Sequence, residues 1–324
     1  MVYDFKLPEP TELTRNLKVK HVLTLPETGE EFNRWSAFNP SICEAGDGSG
    51  YGMTMRSSNY VFGEPRPKVH LTVGDYVETR VWFGRLTEDM WGLESYGRVD
   101  VQADPPLTRG AEDPRLYWRN GGWEFMATIL DIPHAEHGIG RMARFSFDEP
   151  TMTAQIEQVY KPRKELRVEK NWTCTTDASG EFDFIYGPNL VVKGKNFKEV
   201  ASQKDLPPLR GGSQLLAMGD ETYIACLHMT HDKRTKDPVF SNNRMMVHYP
   251  VTRHYTHMFV RYNSEGRIIG LSDEFRFQDK PVEYASGIVR HGDNFVVSFG
   301  VEDKSSWLAH IPVSDVLENI RDIT

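Results

Sequence analysis

At 324 residues, with 39% hydrophobic and 26% charged side chains, the chain can bury one large globular core or two ordinary ones and is not a disordered polymer. Its 38 Lys and Arg against 46 Asp and Glu give a net charge of −8, which argues against a dedicated nucleic-acid binder but allows a local basic pocket. No run approaches the roughly 20 apolar residues that cross a bilayer, so no membrane partner is expected.

In chain order, the opening stretch from Met1 to Asn16 has no basic segment leading into an apolar one, so no secretory signal is expected. The first informative element is FNPSICEAGDGSGYGMTMRSSNY over 38–60: a short polar motif, an apolar strand, a glycine-rich turn, a second strand and a polar exit. The same plan recurs as EDPRLYWRNGGWEFMATILD over 112–131, KNWTCTTDASGEFDFIYGPN over 170–189, GGSQLLAMGDETYIACLHMTH over 211–231 and ASGIVRHGDNFVVSFGVED over 285–303. Each reads as a β-hairpin. The segments 61–111, 132–169 and 232–282 are expected to supply outer strands and loops. A short helix is predicted from Ser314 to Ile320, with Ser314 as its N-cap. The class is therefore all-β.

One hairpin alone is marginal, and radial stacking gives five of them a common core. The expected architecture is a five-bladed β-propeller forming a single domain over 1–324; a pair of sandwiched sheets is the alternative. In an antiparallel hairpin the start of the first strand and the end of the second lie together. Asn39 should then neighbour Arg56 and Asn59, Asp113 should neighbour Asp131, Ser213 His228, and Ser286 Asp303, all at one mouth of a central channel. Cys43, Cys174 and Cys226 are widely spaced and odd in number. They read as buried free thiols in a reducing, cytoplasmic compartment.

Asn39-Pro40, Arg56, Glu112-Asp113-Pro114-Arg115, Lys170-Asn171, Gly211-Gly212-Ser213, His228, Ser286-Gly287 and Gly300-Val301-Glu302-Asp303 recur in an order and spacing that resembles glycoside hydrolase family 130. That family comprises β-mannoside phosphorylases, β-1,2-mannosidases and related mannosyltransferases. The resemblance implies a five-bladed propeller with an axial site and an inverting mechanism. Asp113 would be the general acid that protonates the glycosidic oxygen, directly or through a sugar hydroxyl. Phosphate would attack the anomeric carbon from the opposite face. A leaving alkoxide needs a proton, and a shielded carboxyl can hold one near neutrality. Inverting hydrolysis needs a second carboxylate, for which Asp131, Glu112 and Glu283 are candidates.

The chain also departs from the family. The third motif reads KNWTCTTD, and its second strand ends in Ile185-Tyr186-Gly187-Pro188 without the arginine that in the family helps hold phosphate, so Arg210, Arg141 or Lys170 would have to replace it. The closing motif is Gly-Val-Glu-Asp, and the stretch from Arg253 to His257 is unlike the phosphorylases. These differences mark a divergent branch.

Substrate contacts are expected from Asn39, Arg56, Asn59, Glu112, Arg115, Asp131, Trp172, Ser213 and Asp303. Arg56 lies mid-strand among small residues and needs a carboxylate or ligand partner. Glu112 and Arg115 are expected to pair with each other. Trp172, beside Lys170-Asn171, is a candidate sugar-stacking platform, whereas the remaining tryptophans read as core. Lys170, Arg210, His228 and His257 are the expected phosphate or anion ligands. Three His-x-x-His spacings begin at His134, His228 and His254, but on a strand such pairs point to opposite faces, so no metal is expected. No cofactor is expected beyond inorganic phosphate as a co-substrate. Asp232 to Lys236 reads as a solvated loop, and the sequence is compatible with a homo-oligomer.

The leading function is an inverting glycoside phosphorylase or hydrolase acting on a β-mannoside-like glycan, with an oligosaccharide or sugar phosphate as partner. The alternatives are a glycosyltransferase on the same scaffold using an activated sugar, and a non-catalytic glycan-binding propeller.

Overall fold

The computed structural model describes residues 18–23, 35–63, 68–71, 75–131, 140–160, 170–175, 184–185, 190–193, 196–199, 203, 206–234, 239–240, 247–248, 251–278 and 280–323. Strands dominate, in antiparallel sheets that follow one another along the chain and whose first strands gather around a common axis. The first sheet runs outward as Ser36–Glu44, Tyr51–Ser58, Thr79–Leu86 and Leu93–Arg98. The second runs as Ala111–Arg119, Gly122–Ile129, Arg141–Asp148 and Thr153–Val159, with Asp100–Gln102 added in parallel at its outer edge.

A later sheet starts at Leu216–Ala217 and continues through Thr222–Arg234, Val251–Asn263 and Ile268–Leu271 to Arg321–Asp322. The last has Glu283–His291 innermost, then Asn294–Val301 and Ser305–Pro312, and is completed at its outer edge by Lys18–Leu23 from the start of the chain. This arrangement is a β-propeller.

Four blades are defined where the sequence predicts five. The difference traces to the third hairpin copy. Its strands Thr173–Cys174 and Phe184–Ile185 are two residues long, followed by Leu190–Lys193 and Asn196–Glu199.

Aromatic layers pack the wedges between sheets. Phe83 lies 4.7 Å from Phe147 and 5.7 Å from Trp123, joining the first sheet to the second. Phe259, Phe275, Phe277 and Phe299 form a stack between the last two sheets. Burying each such ring contributes about 1.5–3 kcal/mol. Cys43, Cys174 and Cys226 are buried free thiols, as the sequence predicts.

The C-terminal helix is Val313–Asn319, one residue earlier than predicted. Its N-cap is Pro312, which has no side-chain cap, and the Ser314 hydroxyl instead donates to the Asp315 carboxylate. No helix among the described residues is long and apolar enough to cross a membrane.

Candidate functional site

Three motifs reach the axis by the same local device. Asn39, Asp113 and Asn171 all take left-handed backbone, with φ of 50°, 52° and 65°. Asn and Asp are the non-glycine residues that best tolerate this conformation. The hairpin register slips between Phe38 and Ser41, and again opposite Glu112 to Arg115. Such a bulge breaks the strand's alternation and re-aims a side chain.

The re-aimed side chains meet. Asn39 Nδ2 donates to Asp113 Oδ1 at 2.8 Å, and Arg56 Nη1 donates to the same oxygen at 2.9 Å. Arg56 Nη1 also reaches Glu112 Oε1 at 3.1 Å, and Lys170 Nζ stands 3.8 Å from that oxygen. Arg56 Nε donates to the Ser58 hydroxyl, and Nη2 donates to the Tyr60 hydroxyl at 3.2 Å. Tyr60 in turn donates to Asp303 Oδ2 at 3.4 Å. Residues from the first, second and last sheets thus converge on one buried carboxylate, Asp113.

Electrostatics fix its charge. Burial alone would raise the Asp113 pKa, but the Arg56 guanidinium and the Asn39 amide outweigh it and hold the carboxyl below the usual range. The resting group is a carboxylate. Burial works against the Arg56 charge too, yet Tyr60, Glu112, Asp113 and Asp303 keep it firmly protonated. The predicted need of Arg56 for a carboxylate partner is met twice.

The expected Glu112–Arg115 pair does not form. The left-handed turn at Asp113 separates them, and Arg115 crosses toward the later blades. Arg115 is buried; its Nε donates to the Gly212 carbonyl at 2.8 Å and its Nη2 to Asn171 Oδ1 at 3.2 Å. Its Nη1 is buried without a hydrogen-bond partner among the described residues. Gly211 must be glycine here, because a Cβ would lie 1.6 Å from the Asn171 carbonyl oxygen.

On that side His228 is buried, with Nδ1 2.8 Å from the Gly211 carbonyl. Its ring stacks on Tyr255 at 4.9 Å and meets the edge of Tyr284 at 5.2 Å. Burial pushes its pKa down to about 3, with Arg210, Arg115 and Lys170 acting in the same direction. His257 lies directly across the ladder from His228, buried against Phe275 and Phe277, and its Nε2 accepts from the Ala285 amide. Burial drives its pKa far down as well, so this ring is packed into the core and is no anion ligand.

Below the mouth the axis is closed by Gln214, fully buried. Its Nε2 donates to the carbonyls of Ile42 and Ile288, and its Oε1 accepts from the Ile288 amide.

Other predicted residues lie elsewhere. Trp172 is fully buried against Tyr160, because the turn at Asn171 sends the following side chain inward, so it is no sugar platform. Asp131 is not beside Asp113; it accepts from Thr108 and the Arg109 amide on an exposed loop. Asn59 is spent on backbone groups of Tyr76 and Glu78. The Ser213 hydroxyl bonds backbone groups of Gln214 and Cys226, and Ser286 bonds the Pro40 carbonyl rather than meeting Asp303. Glu283 accepts from the amides of Phe277, Gln278 and Lys280, a clamp rather than a water-activating base. Arg210 is exposed and pairs through its backbone with His228; Arg141 begins the third strand of the second sheet, away from the inner ring. His134, His137, Lys236 and the Tyr186-Gly187-Pro188 run lie outside the described residues. His228 pairs with His257 and His231 with His254, two strand positions that do not share a face. Tyr60, Gln214, Tyr255 and Tyr284 are the residues that sequence reasoning missed. No feature in the sequence separates them from ordinary core positions.

No family profile and no curated protein matches the sequence. Solved structures do match. A β-1,2-mannobiose phosphorylase from Listeria innocua, in complex with β-1,2-mannobiose, aligns over 94% of this chain and 99% of its own, with a TM-score of 0.60 and 11% identity. A GDP-Man-dependent mannosyltransferase from Leishmania mexicana covers 91% of this chain and 90% of its own, at TM-score 0.52 and 13% identity. A mannose phosphorylase from the same organism, in complex with a phosphate ion, covers 90% and 88% at TM-score 0.51 and 13% identity. This chain therefore has the propeller fold of mannoside-active enzymes over nearly its whole length, at an identity that leaves its own residues to decide its chemistry.

Proposed function

We propose that the chain is a carbohydrate-active enzyme, an inverting glycoside phosphorylase or hydrolase acting on a β-mannoside-like glycan. The observation that carries this reading is the buried Asp113 carboxylate on the propeller axis, held by Arg56 and Asn39 on left-handed backbone. A buried carboxylate whose pKa is shifted by a specific charge partner is the kind of group that marks a functional site. The fold it shares with mannoside phosphorylases supplies the substrate class.

In this reading Asp113 is the acid that protonates the departing oxygen while a nucleophile attacks the anomeric carbon from the far face. Because Arg56 and Asn39 keep the resting group ionised, the proton has to be taken up in the loaded complex. Glu112 and Asp113 grip the same Arg56 nitrogen, so their nearest oxygens are at most about 6 Å apart, against roughly 6.5–9.5 Å in two-carboxylate inverting hydrolases. Glu112 is therefore too close to be the water-activating base of such a hydrolase, and attack by phosphate, with Lys170 and Arg210 as its cations, needs no such base. We also assign residues 170–199 to a fifth blade, which makes 1–324 one domain. The free thiols favour a cytoplasmic setting.

One observation favours a second reading, a glycosyltransferase. An ionised Asp113 is the form that takes a proton from an acceptor hydroxyl, which is what transfer from an activated sugar requires.

The test is incubation with β-1,2-mannobiose with and without phosphate, following products by mass. Mannose 1-phosphate only with phosphate means phosphorolysis, and free mannose means hydrolysis. No product from the disaccharide, with acceptor-dependent transfer from GDP-mannose, would replace this reading by the second.

A further inference from the structure

His228 stands among cations, and an anion ligand is the obvious role for it. Its hydrogen bond says otherwise. The Gly211 carbonyl can only accept, so Nδ1 carries the proton. Buried and surrounded by Arg210, Arg115 and Lys170, the ring stays neutral at physiological pH. Nε2 is then a bare lone pair, with no partner among the described residues. A lone pair repels an ionised phosphate oxygen and accepts from a hydroxyl, so phosphate can meet it only through a P–OH.

The groups packed against this ring complement it. Tyr284 touches His228 edge-on and lies under the Arg115 guanidinium, 5.6 Å from ring centre to Cζ. The Tyr284 hydroxyl and Arg115 Nη1 are both buried without partners among the described residues, in side chains only 5% and 1% exposed. A buried donor left unanswered destabilises the fold. Arg115 spends its other nitrogens on neutral oxygens and contacts no carboxylate among the described residues. Two spare donors and one spare acceptor, walled by the Tyr255 and Tyr284 rings, match a neutral polyol, whose hydroxyls both donate and accept.

We infer that His228, Arg115 and Tyr284 form a sugar-hydroxyl subsite, with His228 Nε2 accepting a hydroxyl proton, and that the anion is held elsewhere in the mouth. This rests on the carbohydrate-active reading above and deepens it. It makes His228 a specificity-determining residue, since an epimer with that hydroxyl inverted loses the acceptor.

The experiment uses the intact protein with the methyl β-glycosides of mannose, glucose, galactose and N-acetylglucosamine, and separately inorganic phosphate. Histidine-labelled protein is followed by long-range nitrogen–proton spectra, which distinguish a lone-pair Nε2 from a protonated one. His228 should show the neutral Nδ1–H form with and without phosphate. One glycoside should shift Nε2 without protonating it. H228N keeps the bond to Gly211 and removes the Nε2 acceptor, so it should weaken that glycoside about tenfold and leave phosphate affinity unchanged. H228Q, which restores a polar atom near Nε2, should recover part of the loss.

Phosphate protonating His228 at pH 7, or H228N weakening phosphate rather than the glycoside, overturns the inference. So does a glycoside that binds without moving Nε2. If methyl β-mannoside fails while another glycoside shifts Nε2, the subsite stands and the mannoside reading falls. If none of the four binds up to its solubility, both fall.

Discussion

Around Asp113 the charged side chains meet their opposites: Arg56 holds Asp113 and Glu112, and Lys170 stands by Glu112. Around His228 the ring is neutral, and Tyr284 OH and Arg115 Nη1 beside it have no partner among the described residues. One side is internally neutralised and the other is unsatisfied. The first can change its charge only when a ligand disturbs Arg56, which suits chemistry. The second gains hydrogen bonds on any suitable binding event, which suits recognition. Similar hairpins thus yield two different kinds of surface, depending on which side chains their bulges re-aim.

The sharpest way to break this division is to remove the Asp113 charge. Asp113→Asn keeps the size and an oxygen for Arg56 but cannot move a proton. Turnover should fall about 10²–10⁴-fold with little loss of ligand affinity, and partial rescue is expected on a substrate with a good leaving group. Full activity on the poor leaving group would take Asp113 out of the mechanism.

Arg56→Met comes next. It strands two buried or half-buried carboxylates, and removing one partner of a buried pair costs about 3–5 kcal/mol. The sign of the pH effect follows from the depressed Asp113 pKa. In the parent, this carboxylate stabilises the fold above the ordinary Asp pKa, and the contribution is lost as pH falls through its lowered native value. Without Arg56, that acid-side loss should begin at higher pH. Denaturant melts of parent and variant from pH 3 to 7 measure both effects, and parallel stability curves would show that Arg56 does not set the Asp113 charge.

A smaller effect is expected at Gly300. A Cβ there would lie 2.1 Å from Asn39 Oδ1, so Gly300→Ala must push Asn39 off Asp113. We expect about 1–3 kcal/mol of destabilisation from the overpacking, and a loss of turnover resembling that of Asn39→Ala. The double variant should be no slower than either single one, which kinetics will show.

The mildest prediction concerns the clamp behind the recognition side. Burial raises the Glu283 carboxyl to about 8, against the pull of three amides. A group whose native pKa is raised stabilises the fold fully below its unfolded value and loses that stabilisation as pH rises toward 8. Glu283→Gln should flatten the decline in melting temperature between pH 5 and 8. An unchanged slope would mean that Glu283 is ionised throughout.

Much of the Asp113 side was legible because its conformation restricts residue type. Only a few residues take left-handed backbone at a strand bulge, and Asn39, Asp113 and Asn171 are of those types, each next to its polar motif. The same bulges explain the misses. Its place beside Lys170-Asn171 puts Trp172 at the mouth, but Asn171 takes left-handed backbone and the ring that follows is buried in the core. The left-handed turn at Asp113 likewise separates Glu112 from Arg115. Tyr60 and Tyr284 were invisible because a tyrosine in a strand looks the same in sequence whether its hydroxyl faces a neighbour, a ligand or nothing.

The strand Lys18–Leu23 bonds along Ser305–Pro312, with Lys18 opposite His310. Nearly the whole chain lies between these partners, so the ring closes only after the last blade has been synthesised. At about 5–20 residues per second, the opening strand waits on the order of tens of seconds with its edge unpaired. Pairing of such high sequence separation is slow to nucleate, because loop closure is paid before any contact rewards it. Ring closure should therefore limit the folding rate, and the exposed edge of the last blade is where nascent chains would pair wrongly with one another.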